Sequence, residues 1–259
     1  MRQKPKLGQN FLVDPSACAA IAGALGDVST RTVVEIGPGA GAITGLLASR
    51  ARRLVAIELD HDLAARLRVE LPNVHVVEAD VLTVDFSALR EREEKLLIVG
   101  NLPYYITSPI LLRLFDASSI ISTAVVMMQR EVAERILAMP GSSEYGLLSA
   151  TTQLYARVER ILDLQPEAFM PPPKVSSTVL RLTMQPRFVE LGVKPAPFLS
   201  FLRHGFAQKR KTLAKNLRAA AFTPAHISIA LDACGIPANA RAEQVSLEQM
   251  AALFQACPR

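Results

Sequence analysis

The stretch "NLPYYITSPI" at residues 101–110 follows the apolar run "KLLIVG" and sets two carbonyl acceptors and two aromatic rings at the end of a buried strand. Pro103 biases Leu102 towards an extended backbone, which aims the Leu102 carbonyl outward beside the side-chain carbonyl of Asn101. Two neutral acceptors side by side suit an exocyclic amine. Accepting both N–H protons of an adenine N6 favours pyramidal geometry and releases the nitrogen lone pair for attack. Tyr104 offers a face on which such a base stacks.

A second group of residues could hold the reagent. "VVEIGPGAGAITGLLA" places Gly37, Gly39 and Gly41 at a strand-to-helix turn, where absent Cβ atoms let the backbone approach a ligand. Gly37, Gly39 and Ala42 also fit the dinucleotide fingerprint, so the loop alone does not choose between NAD and another adenosine cofactor. Glu58, about twenty residues beyond the loop, ends the next strand, where a carboxylate accepts from both ribose hydroxyls. Asp80, in "EAD", ends the strand after that, over the place of an adenine ring. A sulfonium methyl donor is already activated, so aligning methyl and amine does much of the catalysis without a strong base or metal.

These residues need a sheet to hold them. From Thr32 onwards "TVVEIG", "RLVAIELD", "NVHVVEAD", "KLLIVGN" and "STAVVMMQ" read as strands, nearly continuous in apolar character, which predicts a parallel sheet covered on both faces. "GAITGLLASRA" and "HDLAARLRVEL" have helical spacing between them, the second behind Asp60 as N-cap. The pattern is doubly wound α/β. "EYGLLSATTQLYA" reads as a helix, "RVERILDL" and "SSTVLRLTM" as further strands, and Pro171–Pro173 as a loop. Beyond about Pro195, "FLSFLRHGFAQKRKTLAKNLRAA", "TPAHISIALDACG" and "SLEQMAALFQAC" read as helices of a small all-α domain. The expected division is 1–185 and 186–259.

Charge and cysteine usage narrow the setting. The 259 residues carry 29 Lys+Arg against 24 Asp+Glu, a net charge of +5, which leans towards an anionic partner. No acid lies between Glu190 and Asp232, while Lys194, Arg203, Lys209, Arg210, Lys211, Lys215 and Arg218 do. Arg2, Lys4 and Lys6 form a second basic stretch. Cys18, Cys234 and Cys257 have neither disulfide-framework nor zinc-ligand spacing, so a reducing, cytoplasmic setting and no metal are expected. The N-terminus lacks a signal-peptide apolar core and no apolar run has the length of a membrane span, so a soluble protein is expected. A monomer is expected as well.

"GQNFL" (8–12), "VEIGPGAGAIT" (34–44), "IELD" (57–60), "EADVL" (78–82), "NLPYYITSPI", "EAFMPPPKVSSTVLRL" (167–182) and "FAQKRKTLAKNL" (206–217) run in order over nearly the whole chain. In these motifs the chain resembles the ribosomal RNA adenine N6-dimethyltransferase family, on its bacterial 16S side. One departure is Ile43 where the family pattern usually has Leu, a volume-conserving change. The resemblance implies a Rossmann-like S-adenosylmethionine-dependent methyltransferase sheet followed by a helical RNA-binding domain. It implies four methyl transfers to two adjacent adenines in the terminal hairpin loop of small-subunit ribosomal RNA, within an immature subunit. On matching positions it implies that Asn10 and Leu12 border the cofactor, Gly37 lies under it, Glu58 holds the ribose and Asp80 reads the adenine. Asn101 takes the target N6 beside Leu102 and Tyr104, and Phe169 stacks on the target's other face.

In that setting Lys209, Arg210, Lys211, Lys215 and Arg218 would track the backbone of an RNA hairpin whose loop adenine is splayed into the pocket. Three other readings remain: a large-subunit enzyme conferring macrolide resistance, an NAD-dependent oxidoreductase, and a noncatalytic assembly factor on the same fold. Against the oxidoreductase, no Tyr-x-x-x-Lys or zinc ligand set stands near the strand ends, and His61, His75, His204 and His226 are scattered.

Overall fold

The computed structural model describes residues 10–257; the basic residues Arg2, Lys4 and Lys6, and Gly8 of "GQNFL", lie outside them. The elements in chain order are β1 (Phe11–Leu12), α1 (Pro15–Gly23), β2 (Thr32–Ile36), α2 (Thr44–Ala48), β3 (Arg53–Glu58), α3 (His61–Glu70), β4 (His75–Glu78), β5 (Leu96–Asn101), α4 (Thr107–Asp116), β6 (Ile121–Gln129) and α5 (Arg130–Leu137). There follow α6 (Leu147–Tyr155), β7 (Ala156–Leu164), β8 (Phe169–Met170), β9 (Ser177–Met184), α7 (Pro195–Gly205), α8 (Leu213–Ala219), α9 (Pro224–Ala233) and α10 (Leu247–Ala256).

Seven strands form one sheet in the order β4-β3-β2-β5-β6-β9-β7. The pairs β2–β3, β3–β4, β2–β5 and β5–β6 are parallel, as the unbroken apolar runs require, and β2 is buried along its whole length. β9, one of the two further strands, runs antiparallel to β6, so the sheet is mixed beyond the five parallel strands. The chain leaves β2 towards β3 and β4, then returns to lay β5 on β2's other side. Strand order therefore reverses between β2 and β5, and the crevice at their carboxyl ends is where such sheets take ligands.

Local chemistry sets the ends of these elements. Asp60 caps α3, its carboxylate accepting from the N–H groups of Asp62 (2.9 Å) and Leu63 (3.1 Å). Asp14 caps α1 in the same way through Ser16 and Ala17. β1 pairs with β8 as a two-stranded ribbon, Leu12 opposite Phe169, and the Val13 N–H donates to the Ala168 carbonyl at 2.8 Å.

The chain divides into two compact units. One takes the residues up to Ala133 together with Val158–Met184; the other takes Glu134–Arg157 and continues from Gln185. The second unit is thus discontinuous, unlike a division at 185/186. Side-chain chemistry explains this. Tyr145 packs edge-on against Phe206 and Tyr155 against Phe188, so the segment around α6 shares a core with the C-terminal helices. Phe198, Phe201, Phe222 and Phe254 interlock at centroid distances of 5.4–5.6 Å in that core.

The basic stretch is not one helix. α7 stops at Gly205 and α8 starts at Leu213 behind Thr212, whose Oγ1 accepts from the Lys215 N–H. Asn216, buried, donates through Nδ2 to the carbonyls of Gly205 (2.6 Å) and Gln208 (3.2 Å), which holds the intervening turn. Lys209, Arg210 and Lys211 lie on this turn, and Lys215 and Arg218 on α8, all exposed. Lys209 Nζ donates to the Ser143 carbonyl at 2.7 Å, tying the turn to the loop before α6.

Candidate active site

The ends of β2, β3, β4 and β5 open on one cavity, lined among others by Asn10, Leu12, Gly37, Glu58, Asp80, Asn101, Leu102 and Tyr104. Residues more than ninety positions apart in the chain therefore meet at the strand-order reversal, as a ligand site on this sheet demands.

The glycine loop forms the floor. Gly37, Gly39 and Gly41 have φ values of +64°, +56° and +84°, a left-handed backbone that glycine adopts without a steric cost. A Cβ on Gly39 would also lie 3.0 Å from the Phe11 ring, so that ring seats directly on the loop. Glu58, buried, fixes the loop: Oε2 accepts from the Gly39 N–H at 3.1 Å and Oε1 from the Asp60 N–H at 2.9 Å. Each oxygen can accept a further hydrogen bond, and Glu58 lines the cavity. Asp80 accepts from the Leu82 N–H at 2.9 Å, which orients its carboxylate at the cavity wall.

The other wall is the "NLPY" turn. Asn101 closes β5, and its Nδ2 donates to the Asn10 carbonyl at 3.2 Å. That bond commits the amide nitrogen, leaving Oδ1 as the acceptor at the cavity. The Leu102 N–H donates to the Met127 carbonyl at 2.9 Å and its side chain is buried, so the backbone here is anchored. Tyr104 is half-buried and shares a 2.7 Å hydrogen bond with Ser177 Oγ. The two walls adjoin, since a Cβ on Gly37 would stand 3.6 Å from the Asn101 carbonyl oxygen.

Phe169 is placed differently from its expected role. It is only 2% exposed, in the hydrophobic core with Leu12, Ile43 and Val179, and does not line the cavity. A ring enclosed on all sides has no face to offer a base; here it anchors β8 against β1 and so holds the Asn10–Leu12 segment over the glycine loop.

Glu35 escaped the sequence reading although it lines the cavity. It sits inside the all-buried strand β2, 2% exposed, with Oε2 buried and without a hydrogen-bond partner. Burial pushes its carboxyl up to about 7, the Thr44 hydroxyl opposes this, and the Glu58 charge adds to it. An acid within an otherwise apolar run was the available signal. Because the folded protein holds this proton more tightly than the unfolded chain, its contribution to stability is fully present below about 4.5 and lost by about 7. We expect Glu35→Gln to abolish that loss, a gain of at most a few kcal/mol at pH 8. Thermal unfolding of both proteins from pH 5 to 8 checks this; parallel profiles would show that Glu35 does not titrate in this range.

Glu35, Glu58 and Asp80 give the cavity three carboxyl groups and, among the described residues lining it, no basic side chain. Glu58 and Asp80 suit the hydroxyls and amine of a nucleoside, and a lining without a basic side chain suits a dinucleotide pyrophosphate less well.

The model of the family described as ribosomal RNA adenine dimethylase matches residues 1–258. The chain belongs to the ribosomal RNA adenine dimethylase family. It is 60% identical over 98% of its length to the ribosomal RNA small subunit methyltransferase A of Acidobacterium capsulatum, covering 91% of that protein. To the protein of the same name from Koribacter versatilis it is 52% identical, with 97% and 93% covered. Among solved structures, a dimethyladenosine transferase from Plasmodium falciparum superposes with a TM-score of 0.80 at 25% identity, with 94% of this chain and 95% of that one covered. The 23S rRNA methyltransferase ErmE superposes with a TM-score of 0.72 at 30% identity, with 96% and 100% covered. The superposition with these methyltransferase structures accounts for the mostly parallel α/β sheet.

Proposed function

We propose that this protein transfers methyl groups from S-adenosylmethionine to N6 of two adjacent adenines in the 3'-terminal hairpin loop of 16S ribosomal RNA, acting as a cytoplasmic monomer on an immature small subunit. The observation that carries this reading is Asn101, whose amide nitrogen is held by the Asn10 carbonyl so that Oδ1 is the free acceptor at the cavity. S-adenosylmethionine supplies an activated methyl group when bound. Glu58 would hold the ribose hydroxyls, Asp80 would accept from the adenine amine, and Gly37, Asn10 and Leu12 would border the molecule.

The target amine donates to Asn101 Oδ1 and to the Leu102 carbonyl. Both oxygens face the nitrogen as it gains positive charge, so they stabilise the transition state more than the ground state. Tyr104, its hydroxyl fixed on Ser177, presents its ring to the base. A monomethylated N6 keeps a single N–H, so one acceptor is idle in the second round.

RNA binding is assigned to Lys209, Arg210, Lys211, Lys215 and Arg218. We expect replacement of Lys209, Arg210 and Lys211 together by Ala to weaken RNA binding and to lower the salt slope by about two. Cofactor affinity stays unchanged, because these residues are outside the cavity lining. Filter binding across a salt series and calorimetry with S-adenosylmethionine separate the two; equal loss of both affinities would contradict a separate RNA surface.

The substrate is tested by supplying labelled S-adenosylmethionine with either undermethylated small subunits or naked large-subunit RNA. Label is expected in the small-subunit RNA. Label in the large-subunit RNA alone would transfer the assignment to the activity named for ErmE.

A further inference from the structure

Tyr105 is 67% exposed, unusual for an aromatic side chain at the edge of an enclosed site, and it lines the mouth of the cavity. Its backbone is rigid. It occupies the middle of a 3-10 turn, Tyr104–Ile106, in which the Ile106 N–H donates to the Pro103 carbonyl at 3.1 Å and Thr107 Oγ1 donates to the same carbonyl at 3.1 Å. The side chain itself makes no hydrogen bond or ring contact among the described residues. A tyrosine displayed in this way loses little side-chain entropy on binding, since only two torsions remain to be fixed.

We infer that Tyr105 is a stacking residue for the nucleotide that flanks the target adenine. The inference rests on the dimethylase reading. Successive residues of a 3-10 turn are rotated by about 120°, so the rings of Tyr104 and Tyr105 diverge and cannot clamp opposite faces of one base. Tyr104 is fixed on Ser177 beside Asn101 and takes the target. Tyr105, directed outward, meets a different base. Splaying the target out of its loop uncovers the face of the neighbouring nucleotide, and an exposed ring at the mouth of the pocket covers it again. Phe169 does not compete for this place, being enclosed in the core. With two adjacent adenines as targets, each serves as the flanking base of the other.

Stacking of a base on an aromatic ring is worth about 1–3 kcal/mol, or roughly 5- to 150-fold in affinity. It acts on binding of the RNA, whereas Asn101 acts on the transfer step. The test compares wild type, Tyr105→Ala and Tyr105→Phe in methyl transfer to undermethylated small subunits, in equilibrium binding to the same subunits, and in calorimetry with S-adenosylmethionine. Tyr105→Ala is expected to raise KM and Kd for the subunit by about 5-fold or more with kcat within about twofold of wild type, Tyr105→Phe to match wild type, and cofactor affinity to be the same in all three. Unchanged KM and Kd in Tyr105→Ala would overturn the proposal, as would a Phe variant as impaired as the Ala variant, or a parallel loss of cofactor affinity. A wild type that transfers no methyl group would overturn the dimethylase reading and the stacking role with it.

Discussion

Asn101→Ala is expected to lower kcat for methyl transfer by about 10²–10³, the usual cost of deleting one preorganised polar group that faces developing charge in a water-poor site. In the proposed mechanism the Leu102 carbonyl alone would not hold the amine in pyramidal geometry, and the nitrogen lone pair would stay delocalised into the ring. The substitution also removes the bond from Nδ2 to the Asn10 carbonyl, which helps hold the N-terminal segment over the glycine loop. One neutral hydrogen bond is worth about 1 kcal/mol, so cofactor affinity should fall by no more than roughly tenfold. Steady-state kinetics and calorimetry on the same preparation give both numbers. A variant that loses cofactor affinity as steeply as rate would make Asn101 a binding residue only, and a variant retaining full kcat would remove it from the chemistry.

Gly100→Ala is expected to be the most damaging single methyl group in the sheet. A Cβ at this position would stand 2.5 Å from the Ile36 carbonyl oxygen and 3.0 Å from the Ile36 Cβ. The first of these is a backbone atom of the neighbouring strand, paired in register with Gly100, and has no rotamer into which to retreat. β5 and β2 must separate at the strand-order reversal, which displaces Asn101 from Gly37 and opens the ladder above it. A cost of about 3 kcal/mol follows from overpacking of this kind, or roughly 6–12 °C in Tm. Gly45→Ala is the control: a Cβ there meets nothing within 4 Å, and Gly45 lies inside α2, where Ala is the better helix former. Calorimetric melting of the two variants should move in opposite directions. Equal Tm values would show that the strands accommodate the methyl group.

The contrast between these glycines illustrates what could be read in the sequence. Glycines 37, 39 and 41 announced their loop by spacing, because a strand-to-helix turn with three glycines has few uses. Gly100 carried no such mark, since its requirement comes from Ile36, a residue of another strand. The strands β2, β3, β5 and β6 were legible because burial on both faces leaves nearly continuous apolar runs, whereas the edge strand β4 is only partly buried; Glu58, Asp80 and Asn101 stood out because they follow such runs. Glu35 was hidden by the same run that revealed β2. Its orphaned oxygen depends on what surrounds the strand, not on its neighbours in sequence.

Phe169 shows the limit from the other side. A two-residue strand pairing with Phe11–Leu12 leaves no periodic signal, so nothing local distinguished a ring at the pocket from one in the core. The basic segment 208–218 had helical spacing throughout, and only the bonds from Asn216 to Gly205 and Gln208 reveal why it turns instead. The second unit's use of Glu134–Arg157 likewise rests on contacts of Tyr145 and Tyr155 with rings far along the chain.

We propose that the paired acceptors at Asn101 and Leu102 direct methylation to an exocyclic adenine nitrogen. The most direct measurement digests ribosomal RNA to nucleosides after reaction of the wild-type protein with undermethylated small subunits and S-adenosylmethionine, and identifies the methylated atom by mass spectrometry against standards. N6,N6-dimethyladenosine as the end product, with N6-methyladenosine as its precursor, is the predicted result. Methyl groups on a ring nitrogen, on ribose or on another base, or none at all from a folded protein that binds the cofactor, would contradict it.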